Sequence, residues 1–342
     1  MPSSKTIGAF ITGCAGPALH PGETAFFRNY NPWGLILFRR NCETQAQLKA
    51  LTAAFRAAVG RSNAPVFIDQ EGGRVQRLGP PLNAWPKYPP ARVYGRLYER
   101  DPLLALRSAR NVGRLMAEDL IAAGITANCL PVLDVPQPGA HDIIGDRAYS
   151  DARERVMVLA RAHAAGFMDG GVMTVIKHIP GHGRAGLDSH LGLPVVDASA
   201  EELRTIDFPP FAAFADAPMA MTAHVVFTAF DAERPATLSP TIVKKVIRQE
   251  IGFHGLLMTD DLSMKALSGS LAEKTMRALA AGCDVVLHCN GIMAEMEQVA
   301  GAAGGLRGKA RRRAAMALKS ARKPQPFDRK AALKDLEALV SA

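Results

Sequence analysis

Short apolar runs alternate with longer amphipathic stretches along most of the chain. The runs at 8–13, 34–38, 65–68, 126–133, 172–176, 220–226, 255–258 and 283–288 are rich in Val, Ile, Leu and Met and show little period-two alternation. Such continuous runs are expected of parallel strands covered on both faces. Between them, apolar positions recur at helical spacing over 21–30, 44–59, 102–123, 152–169, 200–214, 239–250, 271–281 and 292–303. Thr44 has the hydroxyl and the position to cap the second of these helices. Between 78 and 91 a proline-rich segment breaks the rhythm. Eight strands, each followed by a helix, predict an α/β chain closed into a (β/α)8 barrel. The barrel is expected to fill residues 1–305 as a single domain. A helical tail, 306–342, is expected to pack on its outside. An open doubly wound sheet is the alternative, but no glycine-rich dinucleotide fingerprint follows the first strand.

Composition narrows the class. At 342 residues, with 48% hydrophobic and 21% charged positions, the chain reads as a globular protein. No apolar stretch approaches the roughly 18–20 residues of a membrane span. Met1 to Thr6 lacks the apolar core of a secretion signal, so a cytoplasmic location is expected. Five scattered cysteines, Cys14, Cys42, Cys129, Cys283 and Cys289, fit buried thiols in a reducing compartment better than a disulfide framework.

The net charge is 41 − 32 = +9. Much of the excess falls between Arg307 and Lys323, where basic residues alternate with Ala, Met and Leu as on an amphipathic helix. No aromatics interleave with them, so the stacking platform of single-strand binding is missing and a nucleic-acid partner is not expected. A monomer without membrane contact is expected.

Candidate chemistry concentrates at the strand ends, where barrel enzymes carry their active sites. Strand three ends in Asp69-Gln70-Glu71-Gly72-Gly73-Arg74-Val75-Gln76-Arg77. The loop after strand four carries Gly145-Asp146-Arg147. Strand five ends in Lys177-His178, strand six in His224, strand seven in Thr259-Asp260-Asp261 and strand eight in His288-Cys289-Asn290. One polar strand end is usually a helix cap; six on one rim point to catalysis.

The densest cluster runs from Lys177 to His190, where three histidines, a lysine and an aspartate fall within fourteen Gly- and Pro-rich positions. Lys177 and His178 could bind the hydroxyls of a polar ligand. In an extended Asp188-Ser189-His190, residues two apart would share a face, so the carboxylate could fix the imidazole. That makes His190 a candidate acid/base. Of the adjacent pair on strand seven, Asp260 is expected to face the barrel mouth and Asp261 to brace the next turn.

These segments, in this order and spacing, closely resemble glycoside hydrolase family 3, specifically its single-domain bacterial β-N-acetylhexosaminidases. The resemblance rests on Asp69 to Arg77, Lys177-His178-Ile179-Pro180-Gly181-His182-Gly183, Asp188-Ser189-His190 and Asp260-Asp261-Leu262-Ser263-Met264. It implies retaining hydrolysis of terminal β-linked N-acetylglucosamine, with no cofactor and no metal. By the same resemblance Asp260 matches the nucleophile, and His190 with Asp188 the acid/base dyad. Asp69, Arg77, Arg147, Lys177 and His178 match positions that hold the sugar. Similar enzymes act in the cytoplasm in cell-wall recycling, on N-acetylglucosaminyl-1,6-anhydro-N-acetylmuramic acid and its peptides. The stretch Arg184-Ala185-Gly186 departs from common versions of the loop.

A free imidazole, with a pKa of about 6.5, can both donate and accept a proton near neutrality, which suits this role. Three rival readings remain at this level. A metal-dependent hydrolase could recruit His178, His182, Asp188, His190, His224 and Asp260 as ligands. A sugar-binding module would keep Asp69, Lys177 and His178 without catalysing. A phosphorylase would use phosphate in place of water at the same site.

Overall fold

The computed structural model describes residues 6–82 and 85–340. The Met1–Lys5 segment on which the absence of a secretion signal was read lies outside them. Eight parallel strands close into a barrel in the order β1-β8-β7-β6-β5-β4-β3-β2. They are β1 (Gly8–Thr12), β2 (Pro32–Leu37), β3 (Val66–Ile68), β4 (Ala127–Asn128), β5 (Met173–Ile179), β6 (Met219–Thr222), β7 (Leu256–Asp261) and β8 (Val285–His288). The expected (β/α)8 architecture is therefore the observed one.

Each strand's apparently uniform apolar run hides an alternation between two cores. Phe67, Val175, Met219, Met221, Leu256, Met258, Val285 and Leu287 pack inside the barrel. Their neighbours Val66, Ile68, Ile176, Ala220, Leu257 and Val286 face the surrounding helices. The barrel interior is thus filled by side chains rather than hollow.

Capping residues set several helix starts. Thr44 Oγ accepts from the Gln47 amide at 3.1 Å, opening the helix Gln45–Val59, and Gly60 ends it at φ 67°. Asp101 caps Pro102–Ala122, and Ser270 forms a capping box with Glu273 at the head of Leu271–Ala281.

Several elements differ from expectation. The fourth strand was expected over 126–133, but the regular ladder stops after Asn128. Pro131 has no N–H to contribute, and the chain runs on beside β5 irregularly, with Leu133 N donating to Lys177 O at 2.7 Å. A helix, Ala91–Arg100, begins where the proline-rich segment was expected to end. The helical stretch 200–212 contains a π-helical turn, Leu203–Asp207, and the helix expected over 239–250 is π-helical from Ile242 to Glu250. A three-stranded sheet of Val195–Val196, Val226–Phe227 and Asp231–Pro235 lies outside the barrel.

Beyond residue 305 come two helices, Gly308–Lys319 and Arg329–Val340. Ala314 and Ala317 of the first join the barrel's interior core, and the second packs against Pro102–Ala122. Part of the basic excess is spent here on ion pairs. Arg313 meets Asp284 at 2.9 Å, Arg322 meets Asp169 at 3.1 Å and Arg329 meets Glu118 at 2.8 Å. The five cysteines are buried and free. Among the described residues, no helix is long and apolar enough to cross a membrane.

Candidate active site

The C-terminal strand ends surround a cavity of about 340 Å³. Asp69, Glu71 and Arg77 reach it from the end of β3, Arg147 from the loop after β4, and Lys177 and His178 from β5. His182, Ser189 and His190 follow on the next loop, and Asp260 and Asp261 close the far side from β7. Of the eight residues singled out in the sequence, seven line this one cavity. The eighth, Asp188, touches it through His190. A larger groove, of about 960 Å³, lies between the helices Pro102–Ala122 and Arg153–Asp169 and the segment 325–327, away from the strand ends.

One wall is a buried charge network. Lys177 Nζ stands 2.8 Å from Asp69 Oδ1 and 2.6 Å from Glu71 Oε1. Arg147 grips Glu71 with two parallel bonds of 2.8 and 2.9 Å, and Arg77 reaches Asp69 at 3.3 Å. Burial alone would raise the pKa of Glu71, but the Arg147 and Lys177 charges outweigh it and hold the carboxyl at about 2. Asp69 is likewise driven below its ordinary value, against burial, by Lys177 and Arg77. Burial works against the charge on Lys177, yet Asp69 and Glu71 raise its pKa. Asp69, Glu71 and Lys177 are therefore ionised at neutral pH.

The floor is organised by Asp134, which is fully buried. Its Oδ2 meets His178 Nδ1 at 2.7 Å, and its Oδ1 accepts from the His178 and His182 amides at 3.2 and 2.7 Å. The Asp134 contact at Nδ1 fixes the His178 ring. Gly183 permits the close approach behind this: a Cβ there would lie 2.1 Å from the Val135 carbonyl oxygen.

Asp260 faces the cavity as expected. Burial disfavours its charge, but the His224 and His178 imidazoles, the Asp261 amide at 2.8 Å and Lys177 lower its pKa. It is held as a carboxylate. Asp261 accepts from Ser263 N at 3.1 Å, Ser263 Oγ at 2.5 Å and Cys289 N at 3.2 Å, so it braces the turn after β7. Neither residue caps the following helix, whose cap is Ser270. His224 is held between Thr237 Oγ1 at 2.7 Å and the Asp261 carbonyl at 3.0 Å. Strand eight departs from the rim pattern. His288 turns to Glu295 at 3.0 Å, and Asn290 Oδ1 accepts from Ile292 N at the start of the next helix. Of that triplet only Cys289 lines the cavity.

The loop 180–194 carries the Asp188–His190 pair between two anchors. At its root the Gly183 and Ala185 carbonyls accept from Gln137 N and His141 N at 3.0 and 2.8 Å, and Arg184 Nε meets Asp207 Oδ2 at 2.7 Å. Arg184, in the stretch that departs from common versions of the loop, thus ties it to the helical stretch 200–212. At the distal end Pro194 O accepts from Val226 N at 3.0 Å, beside the small sheet. The apex is not extended. The Asp188 carbonyl accepts from Leu191 N at 2.9 Å, and Asp188 Oδ1 accepts from both His190 N and His190 Nδ1 at 2.8 Å. The pair meets through an Asx turn, not through the two-residue alternation of an extended strand. Burial opposes the Asp188 charge, but the contacts with the His190 amide and ring together outweigh it and lower its pKa. The His190 ring is 62% exposed at the cavity mouth.

Two residues of consequence escaped the sequence reading. Glu71 lay inside the segment 69–77 but received no role, because nothing local shows that it joins Lys177 to Arg147. Asp134 closes an apolar run, the same strand-end signal that singled out its counterparts. Among the described residues, no group of three or more His, Cys, Asp or Glu side chains is arranged to hold a metal ion.

A buried carboxylate, an exposed carboxylate-braced imidazole and a fork of fixed charges around one small cavity define a barrel hydrolase for a hydroxyl-rich ring. Comparison with known proteins makes that specific. Residues 22–315 match the glycosyl hydrolase family 3 N terminal domain. The chain is 39% identical over 288 residues to a beta-hexosaminidase of Alkalilimnicola ehrlichii, covering 83% of this chain and 81% of that protein. It is 36% identical over 289 residues to the beta-hexosaminidase of Methylobacillus flagellatus, with the same coverage. The crystal structure of NagZ from Neisseria gonorrhoeae in complex with N-trifluoroacetyl-D-glucosamine superposes with a TM-score of 0.82 at 31% identity, covering 98% of each chain. The same protein in complex with zinc ion gives 0.84 at 31% identity and the same coverage. The chain belongs to glycosyl hydrolase family 3 and is a glycoside hydrolase.

Proposed function

We propose that this glycoside hydrolase is a retaining exo-β-N-acetylglucosaminidase that removes terminal β-linked N-acetylglucosamine from peptidoglycan fragments. N-acetylglucosaminyl-1,6-anhydro-N-acetylmuramic acid and its peptides are the intended substrates, in the cytoplasm. The observation that carries the reading is that Asp260 and His190 line one cavity whose other wall is the Asp69–Lys177–Glu71–Arg147 network. About 340 Å³ is at the small end of the roughly 300–1,000 Å³ of ligand pockets, which suits a single sugar and exo action.

In the first step Asp260 attacks the anomeric carbon while the glycosidic C–O bond breaks. His190 gives its proton to the departing oxygen, and a glycosyl ester of Asp260 forms. In the second step water attacks the same carbon, His190 takes the water's proton, and the ester bond to Asp260 breaks. Asp188 fixes the His190 ring through Nδ1 and leaves Nε2 for proton transfer. Asp69, Arg77, Arg147, Lys177 and His178 hold the ring hydroxyls against the nucleophile.

Asp260→Ala, with an unchanged melting temperature, is expected to lose turnover of an aryl β-N-acetylglucosaminide. Mass spectrometry of the wild-type protein with a 5-fluoro glycosyl fluoride is expected to show the adduct on Asp260. Full activity in the variant, or an adduct elsewhere, overturns the assignment.

A further inference from the structure

The catalytic scheme gives no task to His182, although it is 4% exposed and lines the cavity. Its backbone is tied down, the amide donating to Asp134 at 2.7 Å. Its ring lies at 62° to the His178 ring, 5.6 Å away. Among the described residues the ring makes one hydrogen bond. Nε2 lies 3.3 Å from Ser189 Oγ, while Nδ1 is buried with no partner. Ser189 is the residue between Asp188 and His190. It too is buried, and its carbonyl accepts from Ala266 N at 3.2 Å, on the segment that follows β7.

We propose that His182 is a positioning residue for the acid/base pair: its imidazole clasps Ser189 Oγ and so sets where Asp188 and His190 stand over the cavity. The proposal rests on the assignment of His190 as the proton donor. His182 can do this because its own backbone is anchored to the buried Asp134, at the loop root, whereas Ser189 sits at the apex. The clasp is the side-chain link between the two. Burial, aided by the His178 charge, lowers the His182 pKa to about 4. The ring is therefore neutral in the working range and carries one donor and one acceptor nitrogen, either of which can serve a hydroxyl. At 3.3 Å the contact is long, as catalytic hydrogen bonds often are before a ligand tightens them. A core histidine with no functional task would be expected to satisfy Nδ1 or to be replaced by an apolar ring. Here the imidazole spends its one bond on the dyad loop.

The test uses leaving-group dependence, because only a poor leaving group needs the full help of the acid. The full-length His182→Ala, Ser189→Ala, His182→Gln and double variants would be assayed on a 2,4-dinitrophenyl β-N-acetylglucosaminide and on the β-linked N-acetylglucosamine disaccharide. Losing one neutral hydrogen bond predicts a drop of roughly 3- to 10-fold in kcat/KM on the disaccharide for either single Ala variant. The loss on the dinitrophenyl substrate should be at least about threefold smaller. The double variant should be no worse than the poorer single one, since both remove the same link. His182→Gln, which keeps a side-chain donor, should recover part of the disaccharide rate. Equal losses on both substrates, or losses that multiply in the double variant, overturn the clasp. Asp260→Ala run in parallel separates the two claims. Activity there defeats the proposed role of Asp260 and with it the catalytic scheme, whereas a dead Asp260→Ala with equal losses in the His182 variants defeats the clasp alone.

Discussion

Glu71→Gln is the perturbation that most directly probes how the charged wall of the cavity is held. The side chain is 3% exposed, so solvent screening is slight. Its carboxyl is held at about 2, from an ordinary 4.5. At about 1.4 kcal/mol per pH unit this corresponds to roughly 3 kcal/mol of stability from ionised Glu71 at neutral pH. The figure agrees with the roughly 3–5 kcal/mol lost when one partner of a buried ion pair is removed. The consequences are unequal for its two partners. Lys177 retains Asp69 at 2.8 Å, while among the described residues the Arg147 side chain keeps one hydrogen bond, to the Ile143 carbonyl at 3.1 Å.

The sign of the pH dependence follows from a depressed folded-state pKa. The stabilisation is complete above pH about 4.5 and disappears as the pH falls through about 2. By pH 3.5 roughly 1 kcal/mol of it should be gone. Urea unfolding followed by the fluorescence of Trp33 and Trp85, which are 1% and 4% exposed, would report this. Wild type should exceed the variant by about 3 kcal/mol at pH 7, with the gap narrowing towards pH 3.5. The other carboxylates titrate in both proteins and largely cancel. A difference below about 1 kcal/mol at pH 7, or one that does not change between the two pH values, would refute the account.

Three further outcomes are expected. His190→Ala should lower kcat/KM on the disaccharide by about 10²- to 10⁴-fold, the range of general acid catalysis, and far less on a dinitrophenyl glycoside; equal slowing would argue against His190 as the acid. Asp134→Ala orphans the His178 ring donor and two backbone amides, and should cost about 3 kcal/mol or more in urea unfolding; a loss under about 1 kcal/mol would contradict the role of Asp134. Asp207, which burial raises to about 6 despite Arg184, should make the protein lose stability as the pH rises from about 4 through 6, by up to about 3 kcal/mol. That pH slope should be absent from the Asp207→Asn variant, and its persistence there would assign it to another group.

The barrel was legible because its signal is local and repeated. Eight apolar runs, each followed by a helical pattern, leave few architectures open. What the runs could not reveal is which alternate residues face inward, since both faces are buried. Element boundaries were less legible where proline ends a strand's ladder, as after Asn128, or where a helix takes a π-helical turn, as through Leu203–Asp207. The rim chemistry could be read because a carboxylate or imidazole after an apolar run is conspicuous in one dimension. The rule still over-counted at strand eight, where His288 and Asn290 turn to Glu295 of the next helix.

The network linking these groups was hidden for a different reason. Glu71 matters because Lys177 and Arg147, 106 and 76 positions further along, converge on it in space. Asp134 likewise serves His178 on another strand and His182 on the loop that follows it. A sequence shows which groups can carry charge, but whether a buried charge is tolerable depends on partners that only closure of the barrel supplies. That dependence also bears on the division of labour in this site. The groups proposed to touch the sugar sit on strand ends and are braced by two carboxylates. The proposed proton donor sits on a loop with its own local carboxylate, and its neighbour Ser189 is tied through its carbonyl to Ala266 N and through its hydroxyl to His182. Under that proposal a braced wall and an acid that adjusts to its substrate are compatible if the side-chain tie can yield and re-form, which a long hydrogen bond between two neutral groups allows.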